Sequence, residues 1–240
     1  MLTVCLPTYN ERENVERMLR ALGETFTRHA IEGRVLVIDD GSPDGTGEIA
    51  DRLASELTFV AVLHRARKEG LGPAYLAGFR AALAAGADLV VEMDCDFSHD
   101  PADLPRLAAA AGDADVVLGS RYVAGGSIRN WSLLRRFISR SGSLYAQILL
   151  GLPLRDLTGG FKCYRRNVLE TIDLDAISTK GYAFQIETTY RAVRAGFRVV
   201  EIPIVFSDRV EGGSKMSRQV VVEAVWKVPA LRLAALLGRL

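Results

Sequence analysis

Cysteine is scarce in this 240-residue chain: Cys5, Cys95 and Cys163 stand far apart, with no C-x-x-C pair. Such an odd, scattered set builds neither a disulfide framework nor a zinc site, and it points to a reducing compartment. Excess charge is lacking as well. Thirty basic against twenty-nine acidic side chains leave +1, which excludes nucleic-acid binding as a property of the whole protein. Long apolar runs are missing. No stretch of 18 residues is free of charge, and the nearest approach, 220–237, is broken by Glu223, Lys227, Pro229 and Arg232. No membrane-spanning helix is expected. The first residues enter an apolar run without a basic leader or a cleavage site, so no signal peptide is expected either. Repeats and low-complexity linkers are absent. The expected organisation is one domain over 1–216 with a helical appendage at 217–240.

What is present is an ordinary globular composition, 49% apolar and 25% charged, in an alternating order. Short β-branched runs at 2–6, 34–38, 59–63, 89–93 and 115–118 read as strands. Between them, 13–26, the stretch up to about 55, and 73–85 carry apolar residues at helical spacing. Strand–helix alternation of this kind predicts an α/β fold with a doubly wound parallel sheet. Further on, a strand is expected at 161–164, a helix at 184–195 and a strand at 199–206. The tail reads as two helical pieces parted by Pro229. Residues 121–155 contain Arg121, Arg129, Arg135, Arg136, Arg140 and Arg155 but no acid, and Leu144, Ile148, Leu149 and Leu150 lie within this segment. A basic amphipathic helix here suits a membrane surface, and a core helix with a solvated charged end suits the pattern equally. Arg232 and Arg239, seven apart in the tail among Leu231, Leu236, Leu237 and Leu240, make a second interfacial candidate.

In a parallel sheet the ligand lies beyond the carboxyl ends of the strands. Three strand ends here are chemically loaded: Pro7-Thr8-Tyr9-Asn10-Glu11, Asp39-Asp40, and Asp94-Cys95-Asp96-Phe97-Ser98-His99. Asp94 and Asp96 form a D-x-D pair whose hard oxygens suit Mg²⁺ or Mn²⁺ on a diphosphate. Both could face one ion, or one could take the ion and the other a sugar or ribose hydroxyl; Ser98 continues that face. The plain alternative is a polar turn. Asp44 and Thr46 suit the cap of the next helix, which leaves Asp39 as the candidate for base or ribose. Tyr9 and Glu11 equally suit the first turn of a helix. Gly70-Leu71-Gly72 is an incomplete phosphate loop.

The order of these pieces carries more than any one of them. With Gly119-Ser120-Arg121-Tyr122, Asp156-Leu157-Thr158-Gly159-Gly160-Phe161-Lys162, Lys180-Gly181-Tyr182-Ala183-Phe184-Gln185 and Asp208-Arg209-Val210-Glu211-Gly212-Gly213-Ser214-Lys215, the chain resembles the polyprenol-phosphate (dolichol-phosphate) mannose synthases from residue 2 to about 217. These are inverting glycosyltransferases. The resemblance implies a GT-A (Rossmann-like) single domain with a mostly parallel central sheet flanked by helices, plus C-terminal amphipathic helices. It implies transfer of mannose from GDP-mannose to a polyprenyl or dolichyl phosphate. It places Pro7, Tyr9, Glu11, Val37 and Asp39 in the nucleotide pocket, and Asp94, Cys95 and Asp96 along the ribose and diphosphate. It makes Asp96 and Ser98 ligands of Mg²⁺ or Mn²⁺, and sets Arg121, Arg209 and Lys215 on the donor and acceptor phosphates. Asp96, Arg121 and Arg209 are then the catalytic set. Arg135, Arg136 and Arg140 would gather acceptor at the membrane surface. One departure is Cys95, where the family usually has alanine.

The expected location is cytoplasmic, peripheral on the cytoplasmic face of a membrane, with an integral membrane protein as a further expected partner. A UDP-glucose-dependent polyprenyl-phosphate glucosyltransferase would share the D-x-D pair and the arginines and differ in its base pocket. A processive polysaccharide synthase fits less well, since neither Trp131 nor Trp226 follows an arginine as Q-x-x-R-W requires. A nucleotide-binding module without turnover is the reading outside enzymes, and the intact charged set counts against it.

Overall fold

Strands buried on both faces need apolar side chains in both alternating directions. The first strand, Leu2–Thr8, meets that demand: Val4 and Leu6 enter one core layer and Cys5 the other. A computed structural model of the chain describes residues 1–177, 179, 181–208, 218–238 and 240, the side chains of 218–224 excepted. In chain order the elements are β1 (Leu2–Thr8), α1 (Arg12–Arg28), β2 (Gly33–Asp39), α2 (Thr46–Glu56), β3 (Val60–His64), α3 (Leu71–Ala84), β4 (Leu89–Glu92), α4 (Leu104–Ala110), β5 (Val116–Ser120), β6 (Ser127–Ile128), α5 (Leu133–Leu150), β7 (Lys162–Arg165), α6 (Arg166–Thr171), α7 (Gly181–Arg194), β8 (Val199–Pro203), β9 (Val205–Phe206) and α8 (Arg218–Leu236).

Seven strands form one sheet in the order β3-β2-β1-β4-β7-β5-β8, parallel except for β7. The doubly wound parallel reading therefore needs one correction: β7 runs antiparallel between β4 and β5. That reversal has a consequence for the site. The C-terminal ends of β1, β2, β4 and β5 share one edge, and an antiparallel strand reaches the same edge at its start, so the turn before β7 joins them there. The expected strand at 199–206 is two, split at Ile204, with β9 leaving to pair with β6.

Helices cover both faces. Val15, Met18, Leu19, Leu22 and Phe26 of α1 are buried at helical spacing against one layer. On the other, α3 approaches closely because Gly78 has no side chain: a Cβ there would stand 2.6 Å from Ile38 Cδ1. A third cluster joins α5, α7 and α8 through Ala146, Leu150, Ile186, Tyr190, Val228 and Leu231.

The tail is not two pieces. One helix, α8, runs through Pro229. Proline cannot donate to the carbonyl four residues back, which is that of Val225. The Tyr145 hydroxyl of α5 donates to this carbonyl instead, at 2.8 Å, so the gap in the ladder is filled from a neighbouring helix. No helix among the described residues is long and apolar enough to cross a membrane.

Candidate active site

The loops after β1 and β2 are stitched together by short polar side chains. Asn10 N–H donates to Ser42 Oγ at 3.1 Å, Glu11 N–H to Thr46 Oγ1 at 2.9 Å, and Arg12 N–H to Asp44 at 3.2 Å. Asp44 also accepts from the Thr46 N–H, and these bonds outweigh its partial burial to hold its carboxyl below the usual range. The buried Asp39 is oriented by Ser42, whose N–H and hydroxyl both donate to it, and by Thr8 at 3.3 Å. Asp40 turns to Arg65. Glu11 accepts from Asn14 at 2.9 Å, and the Lys68 ammonium lies 4.2 Å from the centroid of the Tyr9 ring. This part of the edge thus assembles Pro7, Tyr9, Glu11 and Asp39. Val37 does not join them: it is wholly buried in the core, so its side chain supports the pocket from beneath.

Beyond β4 the chain turns sharply. Phe97 adopts φ 59°, a left-handed conformation costly for a bulky residue, and the turn lets the Ser98 N–H reach Asp96 Oδ1 at 3.0 Å. Asp94, Asp96, Ser98 and His99 then line a cleft. Cys95 is buried in the core layer on the opposite side of the chain, so the thiol faces away from this cleft. Burial, only partly opposed by Asp96, lowers the His99 pKa to about 4, so its ring is neutral near pH 7. Its Nδ1 accepts the Asp94 N–H at 3.3 Å, and the ring stacks on Phe161.

The opposite wall is cationic. Arg121, at the end of β5, is 5% exposed and doubly bonded to Asp156, at 2.7 and 2.6 Å, with a further bond to Thr158. Burial alone would lower its pKa, but the Asp156 charge and hydrogen bonds outweigh it and hold the guanidinium above its ordinary range. Asp156 is itself placed by Glu201, which accepts the N–H groups of Arg155 and Asp156. Arg135 lies in the same wall and bonds Asp208 at 2.9 Å.

The three arginines of α5 are not placed together. Arg135 enters the cleft, Arg136 bonds the Ile128 carbonyl at 2.6 Å outside it, and Arg140 is exposed near the Tyr122 ring. Of the other expected site residues, Arg209 and Lys215 lie outside the described residues, as does Arg239. Trp131 and Phe206 carried no signal in the sequence, while His99, Thr158, Gly160, Tyr182 and Asp208 stand in family motifs without an assigned site role; all are in the cleft wall. The turn before β7 and the strand break at Ile204 bring several of them in, and side-chain alternation marks neither event.

Behind the cleft lies a buried pair. Glu92 and Lys162 face each other across β4 and β7, both fully buried. Burial raises the Glu92 pKa to about 7 against the pull of Lys162, and burial lowers that of Lys162 to about 8. Lys162 donates to the Gln185 carbonyl at 2.6 Å and to Thr189 at 3.0 Å.

Comparison with known proteins adds to this geometry. Residues 3–173 match the profile of glycosyl transferase family 2. An undecaprenyl-phosphate mannosyltransferase from Micrococcus luteus is 52% identical over 235 residues, 98% of this chain and 95% of that protein. A polyprenol monophosphomannose synthase from Mycolicibacterium smegmatis is 49% identical over 228 residues, 94% of this chain and 84% of the other. Among solved structures, glucosyl-3-phosphoglycerate synthase from Mycobacterium tuberculosis, in complex with Mn²⁺, UDP and phosphoglyceric acid, superposes with a TM-score of 0.68 at 20% identity, covering 95% of this chain and 78% of that one. A mannosyltransferase from Pyrobaculum calidifontis, in complex with GDP-mannose and Mn²⁺, gives 0.60 at 16% identity, covering 99% and 74%.

Proposed function

Since the chain belongs to glycosyl transferase family 2 and has its GT-A fold, we propose that it transfers mannose from GDP-mannose to a polyprenyl monophosphate with inversion, giving polyprenyl phosphate β-mannose and GDP. One observation carries the reading: 49–52% identity over nearly the whole length with two bacterial enzymes named for mannose and a polyprenyl carrier. The cleft agrees with it. Asp94 and Asp96 stand on one side and Arg121 and Arg135, each held by a carboxylate of its own, on the other, an arrangement that suits a donor diphosphate and an acceptor phosphate.

Pro7, Tyr9, Glu11 and Asp39 hold the guanine and ribose in this reading, with Val37 beneath. A divalent cation fits the donor set around Asp96. The Ser98 hydroxyl is buried beside that carboxylate and has no hydrogen-bond partner, which is the position of a ligand awaiting an ion. Asp96 and Ser98 would hold Mg²⁺ or Mn²⁺, the donor diphosphate filling other positions. Such an ion supplies charge compensation to the departing diphosphate.

The rest follows from the chain's own groups. A lipid monophosphate has a second pKa of about 6, so its oxygen is already anionic near neutrality and attacks the anomeric carbon without a protein base. The protein's task is to position and to neutralise. Arg121 cannot lose its proton, and Asp156, which holds its Nε and one terminal nitrogen, fixes that guanidinium in the cleft wall. Arg135 joins it from α5, and Arg209 and Lys215 complete the cationic set in this reading. His99, neutral, adds no charge and orients the Asp94 backbone.

The greasy half of the acceptor needs a surface. Leu133, Leu134, Phe137, Ile138, Leu144 and Ile148 of α5 are exposed, as are Trp226, Leu233, Leu236 and Leu237 of α8 or just after it. Apolar exposure on this scale beside arginines suits the interface of an anionic bilayer. We place the protein there as a peripheral protein on the cytoplasmic face, with 1–216 as the catalytic domain and 217–240 as a docking appendage, which also offers a surface to an integral membrane protein. The deciding experiment is transfer of labelled sugar to polyprenyl phosphate from GDP-mannose and from UDP-glucose, with GDP and UDP as inhibitors. GDP-mannose should be the substrate and GDP the stronger inhibitor. Equal inhibition by UDP would overturn the guanine pocket, and transfer from UDP-glucose alone would overturn the sugar.

A further inference from the structure

Trp131 stands in the cleft wall directly before α5 and is 7% exposed. Its indole N–H has no hydrogen-bond partner. An indole nitrogen donates and cannot accept, and buried polar groups are seldom left unpaired in a folded protein. The Nε–H of Arg135 in the same wall is buried and unpartnered as well. The surroundings say what kind of group is missing. The Arg135 guanidinium lies 4.1 Å from the centroid of the Trp131 ring, and that of Arg121 lies 5.7 Å from it. Phe206 closes the stack edge-on at 5.2 Å. Two donors without acceptors, one of them on the Arg135 guanidinium itself, beside the Arg121 guanidinium, call for an acceptor with several oxygens, in a wall where Asp156 and Asp208 fix the two arginines.

We propose that the Trp131 indole N–H donates directly to a phosphoryl oxygen bound between Arg121 and Arg135. Trp131 is then a substrate-binding residue and more than a ring on which two arginines rest. The inference rests on the phosphate chemistry proposed above, and the oxygen belongs either to the acceptor monophosphate or to the donor diphosphate.

Two variants separate the donor from the ring. Trp131→Phe keeps an aromatic face and loses the N–H. Replacement of Trp131 by 3-benzothienylalanine keeps the bicyclic shape with sulfur in place of the N–H, which guards against poor packing of phenylalanine. The full chain is assayed with farnesyl phosphate and GDP-mannose, and GDP binding is measured by calorimetry. Loss of a hydrogen bond to a charged oxygen should raise the relevant constant about tenfold or more. A rise in acceptor KM at unchanged GDP affinity assigns the oxygen to the acceptor; weakened GDP binding assigns it to the donor. In a Trp226→Phe background Trp131 is the single indole, and its ¹H–¹⁵N resonance should move downfield as farnesyl phosphate, inorganic phosphate or GDP saturates the site. Unchanged constants in the benzothienyl variant, with an indole resonance blind to all three ligands, overturn the proposal. The titrations do not need turnover, so an enzyme that transfers no mannose yet shifts the indole with phosphate would overturn the assigned reaction and leave this contact standing.

Discussion

Glu92 is buried with neither carboxylate oxygen hydrogen-bonded, and the charge of Lys162 opposite it pulls its raised pKa part of the way back, which makes a pH test possible. A carboxyl held above its unfolded value costs stability as pH rises from about 4.5 through its folded value, here about 7. Lys162 pulls that value down, so Lys162→Met should push it higher and steepen the loss with pH. Urea unfolding should find the variant nearer to wild type at pH 5 than at pH 8, where leaving one buried charge unpaired costs about 3–5 kcal/mol. Equal deficits at both pH values would mean the pair is not ionised. Asp96 gives the second test at this scale. Asp96→Asn keeps the shape and removes the charge, so turnover should drop at least about 100-fold with an unchanged melting temperature. Wild type should lose activity in EDTA and regain it with Mn²⁺. Near-normal turnover of the variant in EDTA-treated buffer would sink the metal assignment. Asp94, Asp96 and Asp39 were legible because carboxylates after apolar strands have a recognisable spacing. Trp131 was not, since an isolated tryptophan looks alike wherever it occurs, and Asp156 stood in a family motif without its part in holding Arg121 being visible.

Elements show how context overrides local preference. Pro229 reads as a break because a mid-helix proline forfeits one backbone bond. The helix continues because Val228, Leu231 and Ala235 pack into the third cluster, and Tyr145 takes the carbonyl left open. Tyr145→Phe should therefore cost about 1 kcal/mol by chemical unfolding. In a Pro229→Ala background, where the restored backbone N–H can reach the Val225 carbonyl, the same change should cost much less; an equal cost in both would disprove the link. The arginines of α5 divide in the same way. Arg135→Gln should raise acceptor KM and leave sedimentation with anionic liposomes unchanged. Arg136→Gln with Arg140→Gln should do the reverse, weakening liposome association by about 1 kcal/mol per side chain, and added salt should mimic the loss. Liposome binding indifferent to both charge and salt would leave these two as a solvated face.

At the scale of the whole molecule, ligand binding should be felt as stability. With Mn²⁺ present, GDP-mannose at a hundred times its dissociation constant should raise the unfolding free energy by about 2.7 kcal/mol. UDP-glucose at the same concentration should give a clearly smaller shift in thermal denaturation, and equal shifts would remove the base selectivity. Such a result would speak to the strand-end loops, and those are the part the amino-acid order determined by itself. Alternation of apolar strands and amphipathic helices dictates a doubly wound sheet, and the polar clusters that end its strands must then meet along one edge. The motif order extends this to the family and its substrates. Only the tertiary structure decided that β7 runs backwards, because strand direction depends on the return path of the chain and leaves no mark on side-chain alternation. That reversal brings Thr158 and Gly160 to the edge, while the break at Ile204 brings Phe206 and Asp208. The separation of Arg135 from Arg136 and Arg140 was settled in the same way: neighbours along a helix point in different directions, and which direction meets the cleft depends on what the helix packs against.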